Sequence, residues 1–309
     1  MAPESDRLVV SVADSVVAEM LGSLEGADVI VWDMTGPPPI SEIDVLIPPY
    51  LGRTGWTAQL PRVTARLIQS SMVGYDGIAE LLPAGTVFAN AATVHETSTA
   101  ELALGLVLAS QRGIPEYVRD AERGEWKPTW RDSLADRHVL LVGYGGVGKA
   151  IAARLAPFEV ELTRVARHAR HDESGEIFGM GNLETRLAGA EIVIVAVPLN
   201  ASTTHLVNDR FLSSMREGSL LVNVSRGPVA DTEAILTHAR TGRLRFALDV
   251  TDPEPLPQGH PLFALDNVLI TPHVGGRTSA ATPRLVQLVK EQVARMRNGD
   301  EPLNVVIRT

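Results

Sequence analysis

The chain has 309 residues, 45% hydrophobic and 21% charged, a size and balance that suit a soluble protein of about two domains. Its net charge of -9 argues against a nucleic acid partner, because binding a phosphate backbone needs a basic surface. There is no cysteine, which excludes disulfides and thiolate metal ligands and fits the cytoplasm; no metal site is expected.

Residues 1–6 are acidic and lack an apolar signal core. The longest apolar runs, such as 192–197, are too short to cross a bilayer, so no membrane role is expected. Residues 7–12 read as a first buried strand, 14–21 as a helix behind it, and 29–32 as a second strand. Gly36-Pro37-Pro38-Pro39 is a loop, since proline has no donor for a sheet. A strand at 45–47 stops at Pro48-Pro49, and 67–69 reads as another. Short apolar strands alternating with helices imply a parallel sheet with crossover helices. Residues 96–111 form a long apolar helix, closed near Gly113 and Pro115, and residues 126–130 read as a surface loop.

A second series starts at His138, with strands at 139–142, 160–165, 192–197, 220–224, 246–250 and 268–270 and helices at 147–155 and 232–241. Residues 283–297 are a last amphipathic helix. Two α/β domains with doubly wound parallel sheets follow from this order. Residues 1–95 together with 283–309 make one, expected to bind substrate. Residues 96–282 make the other, expected to bind a dinucleotide, with a cleft between the two.

The turn Gly143-Tyr144-Gly145-Gly146-Val147-Gly148 joins an apolar strand to an alanine-rich helix. Alone, this glycine spacing marks only a tight strand-to-helix connection. In this setting Gly143 permits the turn, Gly145 lets backbone approach a pyrophosphate, and Gly148 lets helix and strand pack closely. The N-terminus of the helix, at Gly146 and Val147, offers free N–H groups and partial positive charge. NAD-specific versions carry an acid about 20 residues on, for the ribose 2′-hydroxyl. Here that place falls near Ala166, followed by Arg167 and Arg170. A guanidinium pair suits a 2′-phosphate and adenine stacking, so NADP(H) is the preferred cofactor expected, with NAD(H) left open.

Arg226 follows an apolar strand in Asn223-Val224-Ser225-Arg226-Gly227, placing it at a strand's carboxyl end, where doubly wound sheets bind ligands. It can grip a carboxylate through two parallel bonds. His273, in Thr271-Pro272-His273, lies at another strand end, and Glu254 lies in the proline-rich Asp252-Pro253-Glu254-Pro255. Each alone could be a solvated or packed residue. Together they suit reduction of a 2-keto acid. An imidazolium, with a reference pKa of about 6.5, supplies the proton. A carboxylate on its far nitrogen fixes the ring, and the arginine orients the substrate.

At these residues the chain resembles the D-isomer-specific 2-hydroxyacid dehydrogenases, in particular their glyoxylate/hydroxypyruvate reductases. The resemblance covers nearly the whole chain and is strongest over 143–276. It is carried by the glycine turn, Val197-Pro198-Leu199 with Thr203, Asn223 to Gly227, Asp249-Val250 with Glu254-Pro255-Leu256, and Thr271-Pro272-His273-Val274-Gly275-Gly276. It implies a flavodoxin-like substrate domain and a Rossmann dinucleotide domain. It implies that His273 is the acid/base, Glu254 its partner and Arg226 the substrate anchor. The cofactor would meet Thr99, Pro198, Thr203, Ser225 and Asp249. The backbone at Val73-Gly74 would help hold the substrate carboxylate. Tyr50 is expected to face the substrate from its own position, just after a strand end. The resemblance also implies a homodimer.

Thr251 departs from the family in standing where an aromatic residue is common, and the missing acid near 166 departs in the direction of NADP(H). The partner expected is a small 2-keto or 2-hydroxy acid, with glyoxylate or hydroxypyruvate favoured. Phosphoglycerate dehydrogenase fits less well, because no added regulatory domain or extra basic cluster is evident. A cofactor-sensing corepressor would keep the same three polar residues, and turnover separates it from an enzyme. Formate oxidation is disfavoured for want of a long N-terminal extension.

Overall fold

The computed structural model describes residues 7–50 and 54–309; the acidic segment 1–6, read above as lacking a signal core, lies outside them. In chain order the first elements are β1 (Leu8–Val12), α1 (Ser15–Leu21), β2 (Ala27–Val31), β3 (Glu42–Ile47), β4 (Thr64–Gln69) and β5 (Val87–Ala89). Next come α2 (Glu96–Arg112), α3 (Ile114–Glu122), β6 (His138–Val142), α4 (Gly146–Leu155), β7 (Glu161–Val165), and the hairpin β8 (Arg170–Asp172) and β9 (Gly175–Ile177). They are followed by α5 (Leu183–Gly189), β10 (Ile192–Val195), α6 (Asp209–Ser214), β11 (Leu220–Asn223), α7 (Thr232–Arg240), β12 (Arg245–Leu248) and β13 (Val268–Ile270). The chain closes with α8 (Ala281–Asn298) and β14 (Val305–Arg308).

Two compact units result, residues 1–95 with 279–309 and residues 96–278. The first holds a six-stranded sheet in the order β14-β5-β4-β3-β1-β2, parallel except for β14, which pairs antiparallel with β5. Successive strand residues point to opposite faces. Val45 and Ile47 therefore pack with Leu285, Val286 and Val289 of α8, while Leu46 packs with Trp32, Trp56 and Leu60 on the other face. Burial on both faces is why these strands read as continuous apolar runs. A buried amide network seats α8. Gln292 Nε2 donates to Gln69 Oε1 (2.7 Å) and to the Leu303 carbonyl (2.9 Å), and the Leu303 N–H returns to Gln292 Oε1 (2.9 Å).

The second unit is a six-stranded parallel sheet, β13-β12-β11-β10-β6-β7. Val139, Leu141, Ile192 and Ile194 meet α2 and α4 through Val107, Ile151 and Leu155 on one face. Leu140, Val142, Val193 and Val195 meet Leu187, Phe211 and Ile235 of α5, α6 and α7 on the other. Arg245 pins α2 to the sheet, donating to the Ser110 carbonyl (3.2 Å) and to Gln111 Oε1 (2.6 Å). The chain runs from β6 to β7 and then returns to β10 on the far side of β6. That reversal opens a crevice at the carboxyl ends of β6 and β10, where doubly wound sheets bind ligands.

Several elements differ from the sequence expectation. The helix at 96–111 does not end the helical segment at Pro115. Gly113 takes a left-handed φ of 63°, and α3 starts anew with Pro115 in its first turn, where a missing N–H costs nothing. The same tolerance lets α8 begin at Ala281, ahead of Pro283. β10 ends at Val195 rather than 197, because the next carbonyl closes over the glycine turn. The short β5, β8, β9, β14, α5 and α6 were not anticipated: pieces of three to seven residues carry too few periods to be read alone. Among the described residues no helix is long and apolar enough to cross a membrane.

Candidate active site

Glycine is required around the first turn for steric reasons. A β-carbon on Gly143, at φ 106°, would sit 2.2 Å from the Ala196 carbonyl oxygen, and one on Gly148 would sit 2.1 Å from the Gly143 carbonyl oxygen. Backbone cannot retreat from such contacts cheaply. Glu96 fills the space beside Gly146, its Oε1 2.9 Å from where a β-carbon would lie. Gly145 differs, with nothing within 4 Å of its missing side chain. It forms an open face beside the start of α4, and Gly145, the N-cap residue, makes no side-chain hydrogen bond to close the helix end. An open glycine face against an uncapped helix N-terminus fits a dinucleotide pyrophosphate. Val147 is half-buried in the first turn of α4. Across the crevice, Thr203 Oγ1 donates to the Pro198 carbonyl (2.7 Å) and accepts from Asn200 N–H (2.9 Å), folding the loop after β10 back on itself.

His273 and Glu254 meet. Nδ1 of the imidazole lies 2.6 Å from Glu254 Oε1, and both side chains are partly exposed. The backbone of His273 is left-handed, at φ 51°. Histidine enters that region more readily than most residues, but the surroundings must hold it there. Asp249 does so. Only 2% exposed, it accepts from Thr271 Oγ1 (2.7 Å), Val274 N–H (2.9 Å) and Gly275 N–H (3.0 Å), while its own carbonyl takes the His273 N–H (2.8 Å). Thr99 closes this corner, its Oγ1 3.3 Å from where a Gly275 β-carbon would be.

Arg226 stands at the end of β11, as expected, and is half-buried. Its Nη1 donates to the Ser225 carbonyl (2.8 Å). Asn223 shapes the turn: its Oδ1 takes the Ser225 N–H (3.0 Å) and hydroxyl, and its Nδ2 donates to the Arg226 carbonyl (3.3 Å). Gly227 lets this turn touch the next one, since a β-carbon there would lie 1.9 Å from the Thr251 carbonyl oxygen. Thr251 uses its small hydroxyl to tie the Glu254 loop, donating to the Pro253 carbonyl (3.0 Å).

Beyond β7, Ala166 is buried where an acid would stand in an NAD-specific site. Arg170 reaches back to the glycine turn, its Nη2 3.0 Å from the Tyr144 carbonyl and its guanidinium 5.9 Å from the Tyr144 ring centre. Arg167 is exposed and has no hydrogen bond or ion pair among the described residues. Arg164 is not distinguishable by sequence as a site residue, yet its guanidinium also lies over Tyr144, at 5.8 Å. Its strand position masked it as an alternating sheet residue. Thr271 and Asn223 were likewise missed as loop builders, because their partners lie on other turns.

In the first unit, Val73 and Gly74 sit in the loop after β4. Among the described residues, neither N–H has an acceptor. Tyr50 follows β3, and its ring stands 5.4 Å from that of His95.

Residues 104–275 match the family model described as the NAD binding domain of D-isomer specific 2-hydroxyacid dehydrogenases. A glyoxylate reductase of Thermofilum pendens is 34% identical over 248 residues, covering 77% of this chain and 73% of its own. A glyoxylate reductase/hydroxypyruvate reductase of Homo sapiens is 34% identical over 223 residues, or 69% and 68% of the two chains. A crystal structure of a D-isomer specific 2-hydroxyacid dehydrogenase from Xanthobacter autotrophicus Py2, in complex with NADPH and MES, superposes with a TM-score of 0.82 at 27% identity, covering 98% of each chain. The family match spans the glycine turn, Arg226, Glu254 and His273 alike, and with relatives this similar over most of their length the chain belongs to the D-isomer specific 2-hydroxyacid dehydrogenase family.

Proposed function

We propose that this protein reduces a small 2-keto acid, glyoxylate or hydroxypyruvate, to the corresponding 2-hydroxy acid, glycolate or D-glycerate, with NADPH preferred over NADH. The observation that carries the reading is the 2.6 Å contact between His273 and Glu254 at the carboxyl edge of the sheet that also bears the glycine turn. Glu254 takes the hydrogen on Nδ1, which leaves Nε2 as the ring atom that holds and moves a proton. Nε2 gives that proton to the oxygen of the carbonyl being reduced, and recovers it in the reverse direction. Arg226 pairs with the substrate carboxylate and orients it. In the first unit, the Val73 and Gly74 N–H groups are carboxylate donors in this reading. The nicotinamide supplies the hydride when bound. Gly145, Gly146 and Val147 would hold its pyrophosphate, and Thr99, Pro198, Thr203 and Ser225 would line the rest of its site. A carboxylate offers about four acceptor positions. Asp249 uses three on the His273 loop, which leaves one for a carboxamide N–H.

The NADPH preference is supported by Ala166 in place of an acid and by Arg164 and Arg170 gathered at Tyr144. The related structure from Xanthobacter autotrophicus holds NADPH. A cytoplasmic homodimer is part of the same reading. Trp126 and Trp130 are 94% and 102% exposed, in a loop tied to α3 by the Tyr117 hydroxyl and Thr129, and Ile114 and Val118 of α3 are exposed as well. Large apolar side chains exposed together on one segment are unusual on a monomer and suit a second copy. Sedimentation velocity is expected to show a dimer for the natural protein and a monomer for Trp126→Ala/Trp130→Ala; an unchanged dimer would move the interface elsewhere.

The reaction is tested by the loss of absorbance at about 340 nm with NADPH or NADH against glyoxylate, hydroxypyruvate, pyruvate, phenylpyruvate and 3-phosphohydroxypyruvate. Fast NADPH oxidation with glyoxylate or hydroxypyruvate is expected. Tight cofactor binding without turnover on any acid would instead indicate a cofactor sensor.

A further inference from the structure

Three loops leave neighbouring strands at the carboxyl edge of the first unit's sheet: Tyr50 follows β3, residues 70–74 follow β4, and residues 90–95 follow β5. The middle loop is tied to the last. Ser70 N–H donates to the Ala89 carbonyl and Ala91 N–H to the Met72 carbonyl, both at 2.8 Å, and Asn90 Nδ2 donates to the Val73 carbonyl at 2.8 Å. His95 adds a further tie, its Nε2 2.8 Å from the Ser71 carbonyl. A carbonyl only accepts, so Nε2 carries the hydrogen.

This imidazole is 6% exposed, and its Nδ1 is buried with no hydrogen-bond partner among the described residues. The Tyr50 ring stands beside it, tilted by 37°. A buried acceptor left unmet is unfavourable, so an apolar side chain would fit this position better on packing grounds alone. What histidine adds is the bond to Ser71. The backbone is also bent to deliver it: Thr93 sits at φ 80°, a region that β-branched residues rarely enter, and Val94 N–H closes the turn onto the Ala91 carbonyl (3.1 Å).

The loop held in this way presents the Val73 and Gly74 N–H groups, which lack acceptors among the described residues. Successive N–H groups of this kind form a cradle for an anion. We propose that His95 is a positioning residue for the keto acid, fixing the Ser71 carbonyl and through it the direction of the Val73 and Gly74 N–H groups. The inference rests on the reading of that loop as a carboxylate site. His95 itself does not touch the reacting atoms in this account.

The test compares His95→Leu, His95→Asn and His95→Gln. The amide nitrogen of glutamine reaches the position of imidazole Nε2, whereas that of asparagine reaches only the position of Nδ1. At saturating NADPH, His95→Leu and His95→Asn should raise KM for hydroxypyruvate and glyoxylate about tenfold, the scale of a lost hydrogen bond plus some misplacement. Their kcat should stay within about threefold, and the fluorescence-measured Kd for NADPH should not move. His95→Gln should recover most of the natural KM. Calorimetric binding of oxalate to the NADPH-loaded protein should follow the same order, and it needs no turnover. If His95→Leu does not fold, the Gln and Asn pair carries the comparison. Equal KM and oxalate affinity for Gln and Asn, in proteins with native melting curves, would overturn the proposal. Absence of turnover in the natural protein would refute the proposed reaction, while the oxalate series would still decide the role of His95.

Discussion

Replacing His273 by alanine is expected to lower turnover by about 10²–10⁴-fold, the range lost with a general acid, while the affinity for NADPH stays near its natural value. The reason is geometric. Among the described residues the ring makes one side-chain hydrogen bond, to Glu254, and the loop is held by Asp249 through backbone and Thr271 rather than through the imidazole. Alanine does carry a conformational cost at φ 51°, of about 1–2 kcal/mol. His273→Asn separates the two effects, since asparagine tolerates the left-handed region; it should melt like the natural protein and turn over as slowly as the alanine variant. Arg226→Ala should load more of its loss on KM for the keto acid, because it removes an anchor rather than the proton. Steady-state rates over a range of keto acid and NADPH concentrations check all three. Turnover of His273→Ala within about tenfold of natural would place the proton donor elsewhere.

Replacing Arg167 and Arg170 together by alanine is expected to lower kcat/KM for NADPH by about a hundredfold and that for NADH by less than about threefold. A hydrogen bond to a charged group contributes roughly 1.5–3 kcal/mol, and about 1.4 kcal/mol is a factor of ten. Both guanidinium groups are exposed. Their contribution should therefore fall with ionic strength, so the NADPH preference of the natural protein should narrow between about 0.05 and 0.5 M salt. Arg170 also donates to the Tyr144 carbonyl in the glycine turn, so its single variant should disturb both cofactors a little, whereas Arg167→Ala should touch NADPH alone. Equal losses for the two cofactors in the double variant would remove the basis for the preference.

Much of the protein is legible without coordinates. The alternation of apolar strands and helices announces parallel sheets, because strands covered on both faces must be apolar throughout. The spacing of Gly143, Gly145 and Gly148 marks the turn, since Gly143 and Gly148 answer local steric demands and Gly145 leaves its face of the turn open. Arg226 and His273 are visible as polar residues after apolar runs, and Glu254 as a carboxylate in a proline-rich loop. What sequence cannot supply is which ends meet. Glu254 and His273 are 19 positions apart, and Arg170 is 26 from Tyr144. Those contacts depend on β12 lying beside β13 and on β7 lying beside β6, an order set by how the whole sheet closes. Asp249 reads from the sequence as one more polar residue at a strand end. In the structure its carboxylate is spent on three donors of the His273 loop, and only the tertiary fold, by bringing that loop over the end of β12, gives it that work. Likewise the sequence reads 283–297 as an amphipathic helix and assigns it to the first domain, but the contact that seats α8 there, the Gln292 network with Gln69, appears only in the structure. Local pattern depends on neighbours in the chain, whereas long-range pairing depends on burial and sheet order shared by the whole unit.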